Sequence, residues 1–237
     1  MPNPYFSFKQ FTVHHDKCAM KVGIDGVLLG AWTKVGNANQ ILDIGTGTGL
    51  IALMLAQRSK STIIGIDIDS DAVLQAKENV HKSPWSDRVE VHESALQKFS
   101  TTLSFGFDLI VSNPPYFVNS LKTPSESRTA ARHSDTLSHE ELIENAVRLL
   151  NPDGRICIIL PVNEGLQCVE FAINNGLFCS KLVRVYSKPN AEAKRLLMEF
   201  TQIPIERIET ELTIESEIRH HYSPEFTALV KEFYLKL

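Results

Sequence analysis

At 237 residues, with 43% hydrophobic and 22% charged residues, the chain has the apolar mass for a full core and the make-up of a water-soluble globule. Its formal net charge of -4 speaks against a surface built wholly for nucleic acid. Residues Met1 to Phe11 hold no apolar leader, and no run is long enough to cross a bilayer. The cysteines Cys18, Cys157, Cys168 and Cys179 show neither metal-ligand spacing nor a disulfide framework, so the expectation is a reduced cytoplasmic protein without metal.

In chain order, residues 5–23 alternate polar and apolar positions and read as a short strand or arm. Asp25 to Trp32 reads as a short helix with Asp25 as its N-cap, and Gly36-Asn-Ala-Asn39 breaks it. A first core strand over 40–44 leads through a glycine-rich turn into a helix over 49–58. Thr62 to Asp67 is a second strand ending in an acid. Ser70 or Asp71 then caps a helix to about Val80, with Val73, Ala76 and Val80 on one face. Third and fourth strands follow over Asp87–His92 and Phe107–Ser112, the latter stopped by Asn113-Pro-Pro115. The stretch 117–137 reads as a long polar loop of functional length. Ser138-His-Glu-Glu141 is a capping-box pattern that opens a helix over 138–150. A fifth strand over Arg155–Leu160, a helix over 163–175 and strands over 177–187 and 194–203 complete the core, with a further strand (205–214) and helix (224–235) in the tail.

Alternating strands and helices imply an α/β doubly wound sheet, Rossmann-like and mostly parallel. The last two core strands share a short connection and form an antiparallel hairpin at its edge. The expected organisation is an N-terminal arm and helix over 1–39, a core over 40–203 and a tail over 204–237, within one structural domain.

Asp43-Ile-Gly-Thr-Gly-Thr-Gly49 is the stretch around which the rest is arranged. Gly45, Gly47 and Gly49 allow a sharp bend and a close approach of backbone to ligand, and the helix beyond directs its first amides at the same place. A dinucleotide fingerprint needs a third glycine at position 50, which is leucine. Asp43 would repel a pyrophosphate. It suits a ligand with a cationic amino-acid end and no phosphate, such as S-adenosylmethionine. In such sheets the ligand lies beyond the carboxyl ends of the strands, where Asp43, Asp67 with Ile68, Ser94-Ala95 and Asn113 all fall. Asp67 is placed to accept both ribose hydroxyls.

Asn113-Pro-Pro-Tyr116 carries the chemistry. A planar exocyclic amine is a poor nucleophile because its lone pair is delocalised. If the Asn113 side-chain oxygen and the Pro114 carbonyl accept its N–H bonds, the nitrogen is held and its lone pair can turn toward an electrophilic methyl. Pro114 and Pro115 stiffen the loop and add no competing N–H. Tyr116 can stack on the base, and in-line approach does most of the remaining work.

The glycine turn, the acid ending the second strand and Asn113 to Tyr116 together resemble the class I methyltransferases that use S-adenosylmethionine to methylate adenine, cytosine or guanine amines or a glutamine amide. Phe8-Lys-Gln-Phe11, the stretch Met20 to Trp32, and Ser127-Arg-Thr-Ala-Ala-Arg-His133 resemble the bacterial valine-tRNA adenine methyltransferases. That family modifies the N-6 amine of adenosine 37, just 3′ of the anticodon. The resemblance implies that Lys21, Val22 and Asp25 help close the cofactor pocket. Ile24 stands where the family leads one to expect threonine, and Ser94 where many methyltransferases have aspartate. About 40 residues precede the turn, too few for the helical domain of the release-factor enzymes.

Residues 181–195 carry Lys181, Arg184, Lys188, Lys194 and Arg195 against Glu192 alone. With the sixth strand parallel to the first five, the turn at Lys188-Pro-Asn190 lies on the active-site edge. Arg128, Arg132 and His133 follow the motif directly. These residues, with Lys188, Lys194 and Arg195, are the expected tRNA contacts, and Arg195 is expected to lie away from the cofactor. His14 and His15 read as surface residues. The alternatives are methylation of a protein glutamine or an rRNA guanine by the same motif, a non-catalytic S-adenosylmethionine or nucleotide sensor, and, more remotely, a nicotinamide dehydrogenase. The sequence leaves the oligomeric state open.

Overall fold

The computed structural model describes residues 3–18, 21–102, 106–115, 137–218 and 221–237. Its centre is an eight-stranded sheet. Strands β3 (Gln40–Ile44), β4 (Thr62–Asp67), β5 (Val89–Glu93), β6 (Phe107–Ser112) and β7 (Leu150–Pro161) run parallel, as the alternation of strands and helices requires. β8 (Phe178–Tyr186) and β9 (Ala193–Thr201) form the antiparallel hairpin, and β10 (Ile208–Thr213) follows. The order across the sheet is β10-β8-β9-β7-β6-β3-β4-β5.

The hairpin does not form the edge. Its returning strand β9 inserts antiparallel between β7 and β8, and β10 pairs parallel to β8 outside it. β8 keeps the direction of the first five strands, so the turn between β8 and β9 lies at the carboxyl edge, level with Pro161 at the end of β7.

Side chains alternate across the strands and fill two cores. Ile41, Ile63, Leu109, Cys157 and Leu197 face one side, with α1 (Ile24–Trp32), α2 (Leu50–Gln57), α3 (Ser70–His81) and α7 (Pro224–Val230). Leu42, Ile64, Ile110, Ile158 and Leu196 face the other, against α4 (Leu96–Thr102), α5 (His139–Leu149) and α6 (Val162–Asn174). Ser138 caps α5 with the reciprocal Ser138–Glu141 box foreseen from the pattern.

Two caps differ from expectation. Gly23, in extended conformation, precedes α1, so Asp25 sits inside its first turn with its carboxylate turned elsewhere. Asp69, not Ser70 or Asp71, caps α3, its Oδ1 accepting from the Asp71 amide at 2.9 Å. α1 lies along α2 with both N-termini toward the carboxyl edge. Gly26 meets Leu50 and Gly30 meets Met54 so closely that an added Cβ would stand 3.0 and 2.7 Å from the opposing side chains. The N-terminal residues form a small antiparallel hairpin, β1 (Tyr5–Ser7) and β2 (Thr12–His14).

Candidate active site

The carboxyl ends of β3, β4, β5 and β6 converge on the glycine turn. Gly45, Gly47 and Gly49 have φ of +69°, +55° and +81°, the left-handed region that only glycine enters cheaply. At Gly45 and Gly47 a side chain would meet nothing within 4 Å, so their bare backbone faces open space. The turn's amides are already engaged. Those of Gly45 and Thr46 both donate to the Ile66 carbonyl at 2.9 Å, Gly49 donates to Thr46 at 2.9 Å, and Gly47 donates to Asp67 Oδ2 at 2.8 Å. Amides spent in this way are poor candidates for a phosphate cradle, which agrees with the acid at position 43.

The two acids at the strand ends differ. Asp43 is wholly buried: Oδ2 accepts from the Thr46 hydroxyl at 2.7 Å and the Ala52 amide at 3.2 Å, and Oδ1 has no hydrogen-bond partner. Burial pushes its pKa up to about 7, against the lowering effect of those two donors, and the Asp67 charge adds to the rise. The turn folds over this carboxylate and takes it out of water. Asp67 is half-buried, taking the Gly47 amide on one oxygen and the Asp69 amide at 3.0 Å on the other. Each oxygen keeps a second lone pair for a ligand. Ile68 beside it is exposed. The Ser94 amide donates to the Asp67 carbonyl at 2.9 Å, while its hydroxyl turns to the Ala95 carbonyl at 3.1 Å.

Ser112 stands level with Ile44 in the β3–β6 ladder, and its hydroxyl donates to the Ile44 carbonyl at 2.9 Å. The next residues are Asn113 and Gly45, so the motif leaves β6 beside the glycine turn. Asn113 is half-buried, Pro114 buried and Pro115 exposed. Tyr116, Arg128, Arg132 and His133 lie outside the described residues.

The N-terminal arm is tied to the same edge by residues that sequence reasoning passed over. Asn79 accepts the His14 amide on Oδ1 and donates to the His14 and Thr48 carbonyls, each at 2.9 Å, joining arm to turn. Gln75 accepts the Lys17 amide at 2.9 Å. Gln75 and Asn79 are four apart on the buried face of α3, and two polar residues on an apolar stripe were the available signal. His15 is buried, not a surface residue. One ring nitrogen faces the Asn3 carbonyl at 2.8 Å, and the other receives the Val22 amide at 3.5 Å. Lys21 is exposed and Val22 half-buried.

Lys188 and Lys194 are exposed at the β8–β9 turn. Arg195 has a partner that the sequence did not signal: its Nε donates to Asp25 Oδ2 at 2.9 Å, because the strand after the turn reaches the end of the sheet where α1 begins. Among the described residues no three His, Cys, Asp or Glu side chains gather as a metal site. Cys157 and Cys168 are thiols raised by burial to about 12 and Cys179 to about 11, unsuited to nucleophilic work.

Comparison with known proteins agrees with this geometry. Residues 25–177 match the methyltransferase small domain family. The chain is 51% identical over its full length to the whole of the tRNA1(Val) (adenine(37)-N6)-methyltransferase of Parabacteroides distasonis, and 52% identical, again over the whole of both chains, to that of Phocaeicola vulgatus. Among solved structures, a predicted O-methyltransferase from Agrobacterium tumefaciens superposes with a TM-score of 0.70 at 18% identity, over 88% of this chain and 96% of that one, and so shares the fold. The chain belongs to the family of the tRNA1(Val) (adenine(37)-N6)-methyltransferases.

Proposed function

We propose that the protein transfers a methyl group from S-adenosylmethionine to the N-6 amine of adenosine 37 in tRNA1(Val). The observation that carries this reading is that Asn113 and Pro114 directly follow Ser112, which pairs with Ile44, the residue before the glycine turn. The relatives act, by their names, on that adenosine.

S-adenosylmethionine is the methyl donor, and the residues fit it. Open backbone at Gly45 and Gly47 leaves room for its body, Asp67 has lone pairs for the ribose, and the orphaned Oδ1 of buried Asp43 suits the cationic amino-acid end. Exposed Ile68 and the Ser94-Ala95 turn can line the adenine. Lys21, Val22 and Asp25 cover the pocket from the arm. When bound, the donor supplies an electrophilic methyl on sulfonium sulfur.

The protein's part is to hold the amine. Asn113 Oδ1 and the Pro114 carbonyl accept its two N–H bonds, which directs the lone pair at the methyl. The bound donor would supply the methyl while these two acceptors keep the amine in line with it, and the amine's proton would pass to water. Position and approach supply most of the acceleration. Tyr116 stacks on the turned-out base, and Arg128, Arg132, His133, Lys188 and Lys194 meet RNA phosphate. A tRNA substrate supports a cytoplasmic location, and the proposed organisation has segments 1–39 and 204–237 as arm and tail to one structural domain. The test is transfer of tritiated methyl to tRNA1(Val) transcripts with adenine or guanine at position 37, followed by nucleoside analysis. Label in N-6-methyladenosine on the adenine transcript alone is expected. Label in protein or guanine would refute the reading.

A further inference from the structure

Arg195 and Asp25 are 170 residues apart and meet at 2.9 Å, with side chains 28% and 15% exposed. They belong to different layers. Arg195 is the third residue of β9, paired on one side with Pro161 of β7 and on the other with Val185 of β8, so its backbone is held from both flanks. Its Nη1 also donates to the Lys194 carbonyl at 2.9 Å, which fixes the plane of the guanidinium. Asp25 lies in the first turn of α1, whose N-cap Gly23 has no side chain to bond the helix amides. The entry to α1 is therefore weakly held by its own residues, and a cation anchored in the sheet grips it. The close packing of Gly26 and Gly30 on α2 carries that entry to the edge where the glycine turn opens.

We propose that Arg195 is a positioning residue for the methyl donor. Through Asp25 it clamps residues 21–25 over the cofactor pocket. Because Lys194 adjoins it in β9 and Lys188 lies in the turn before that strand, the clamp also couples tRNA engagement to cofactor retention. The inference rests on the cofactor reading given above. A half-buried charge pair of this kind resists loss of either member, since each loses an ion-pair contact made away from bulk water. Lysine is a poor substitute, because the contact uses the guanidinium Nε while Nη1 is bonded elsewhere.

The experiment is calorimetric titration of S-adenosylmethionine into the full chain, with and without tRNA transcript, beside steady-state kinetics. Arg195→Ala should raise the Kd for S-adenosylmethionine about tenfold, equivalent to about 1.4 kcal/mol. Its KM for the donor should rise in parallel while kcat at saturation stays within about twofold, the pattern for lost uniform binding. The wild type should bind the donor more tightly when tRNA is present, and Arg195→Ala should lose that tightening. The swap Asp25→Arg with Arg195→Asp should recover part of the affinity, which a purely packing role would not. If Arg195→Ala melts too low to titrate, Arg195→Gln keeps most of the side-chain length, removes the charge and carries the same expectation. Unchanged donor affinity in folded Arg195→Ala, where Asp67→Ala does weaken binding, overturns the clamp and leaves the cofactor reading standing. Unchanged affinity in both variants overturns the cofactor reading itself.

Discussion

Where β3 and β4 end, the polar groups answer one another: Gly45 and Thr46 rest on the Ile66 carbonyl, Gly47 on Asp67, and Thr46 on Asp43. Where β8 and β9 meet, Lys188 and Lys194 stand exposed in a turn, and Arg195 reaches across to another layer. The first region is set before any ligand arrives and suits a small molecule of fixed shape. The second is built of solvated charge and suits a flexible polyanion that brings its own structure. A loss in the first should therefore appear as a large change in rate or donor affinity, and a loss in the second as a graded change in salt dependence.

The sharpest separation should come from Asn113→Ala. It should lower the single-turnover methylation rate about 100-fold or more, the scale for removing one preorganised polar partner. Donor affinity should hold, because the side chain is assigned to the amine. A proportionate loss of donor binding would move Asn113 into the cofactor's share of the site. Asp67→Ala comes next. Two ribose hydrogen bonds to a charged acceptor are at stake, each worth roughly 1.5–3 kcal/mol. Calorimetry should show the Kd for S-adenosylmethionine raised at least tenfold, about 1.4 kcal/mol, and the folded variant should show no change in its tRNA salt slope.

Asp43 gives a smaller effect that depends on pH. Its folded pKa of about 7 lies above the ordinary 3.8, so folding favours its proton. The stability this contributes is full below about pH 4 and is lost as the pH rises through about 7. Melting temperatures of the free protein should fall across that window. If the ammonium end of the donor faces Oδ1, affinity should rise as Asp43 ionises, over the same window. Asp43→Asn should flatten both profiles, and an unflattened binding profile would remove Asp43 from contact with the ligand. The smallest change belongs to Lys188→Ala with Lys194→Ala. Filter binding should show tRNA affinity reduced severalfold and the slope of log K against log salt shallower by about 1–2. An unaltered slope would place the RNA on another face.

Much of the arrangement around the glycine turn was legible before the fold. A glycine turn after an apolar strand, an acid at the next strand end and Asn113 at another are features whose meaning depends on strand ends, and strand ends follow from periodicity and breakers. The same logic placed the Lys188 turn at the carboxyl edge of the sheet through the direction of β8. What escaped were relations between distant segments. Nothing near Asp25 signals Arg195, and nothing near Arg195 signals Asp25. Asp43 and Asp67 look alike as strand-end acids, yet one is buried beneath the turn and the other lies at its rim, a difference set by how the turn closes. Asn79 and Gln75 were readable as polar interruptions of an apolar face, but their partners in the arm were not.

The arm also has a partner late in the chain. The Lys9 amide donates to the Phe233 carbonyl at 2.8 Å, Phe8 bridges to Tyr234, and the Lys9 ammonium donates to the Lys231 carbonyl at 2.6 Å. The arm is thereby held by residues up to 222 positions further along the chain. Removing residues 231–237 should free it from this dock, and the cover proposed for the cofactor would then rest on the arm's contacts to Asn79 and Gln75.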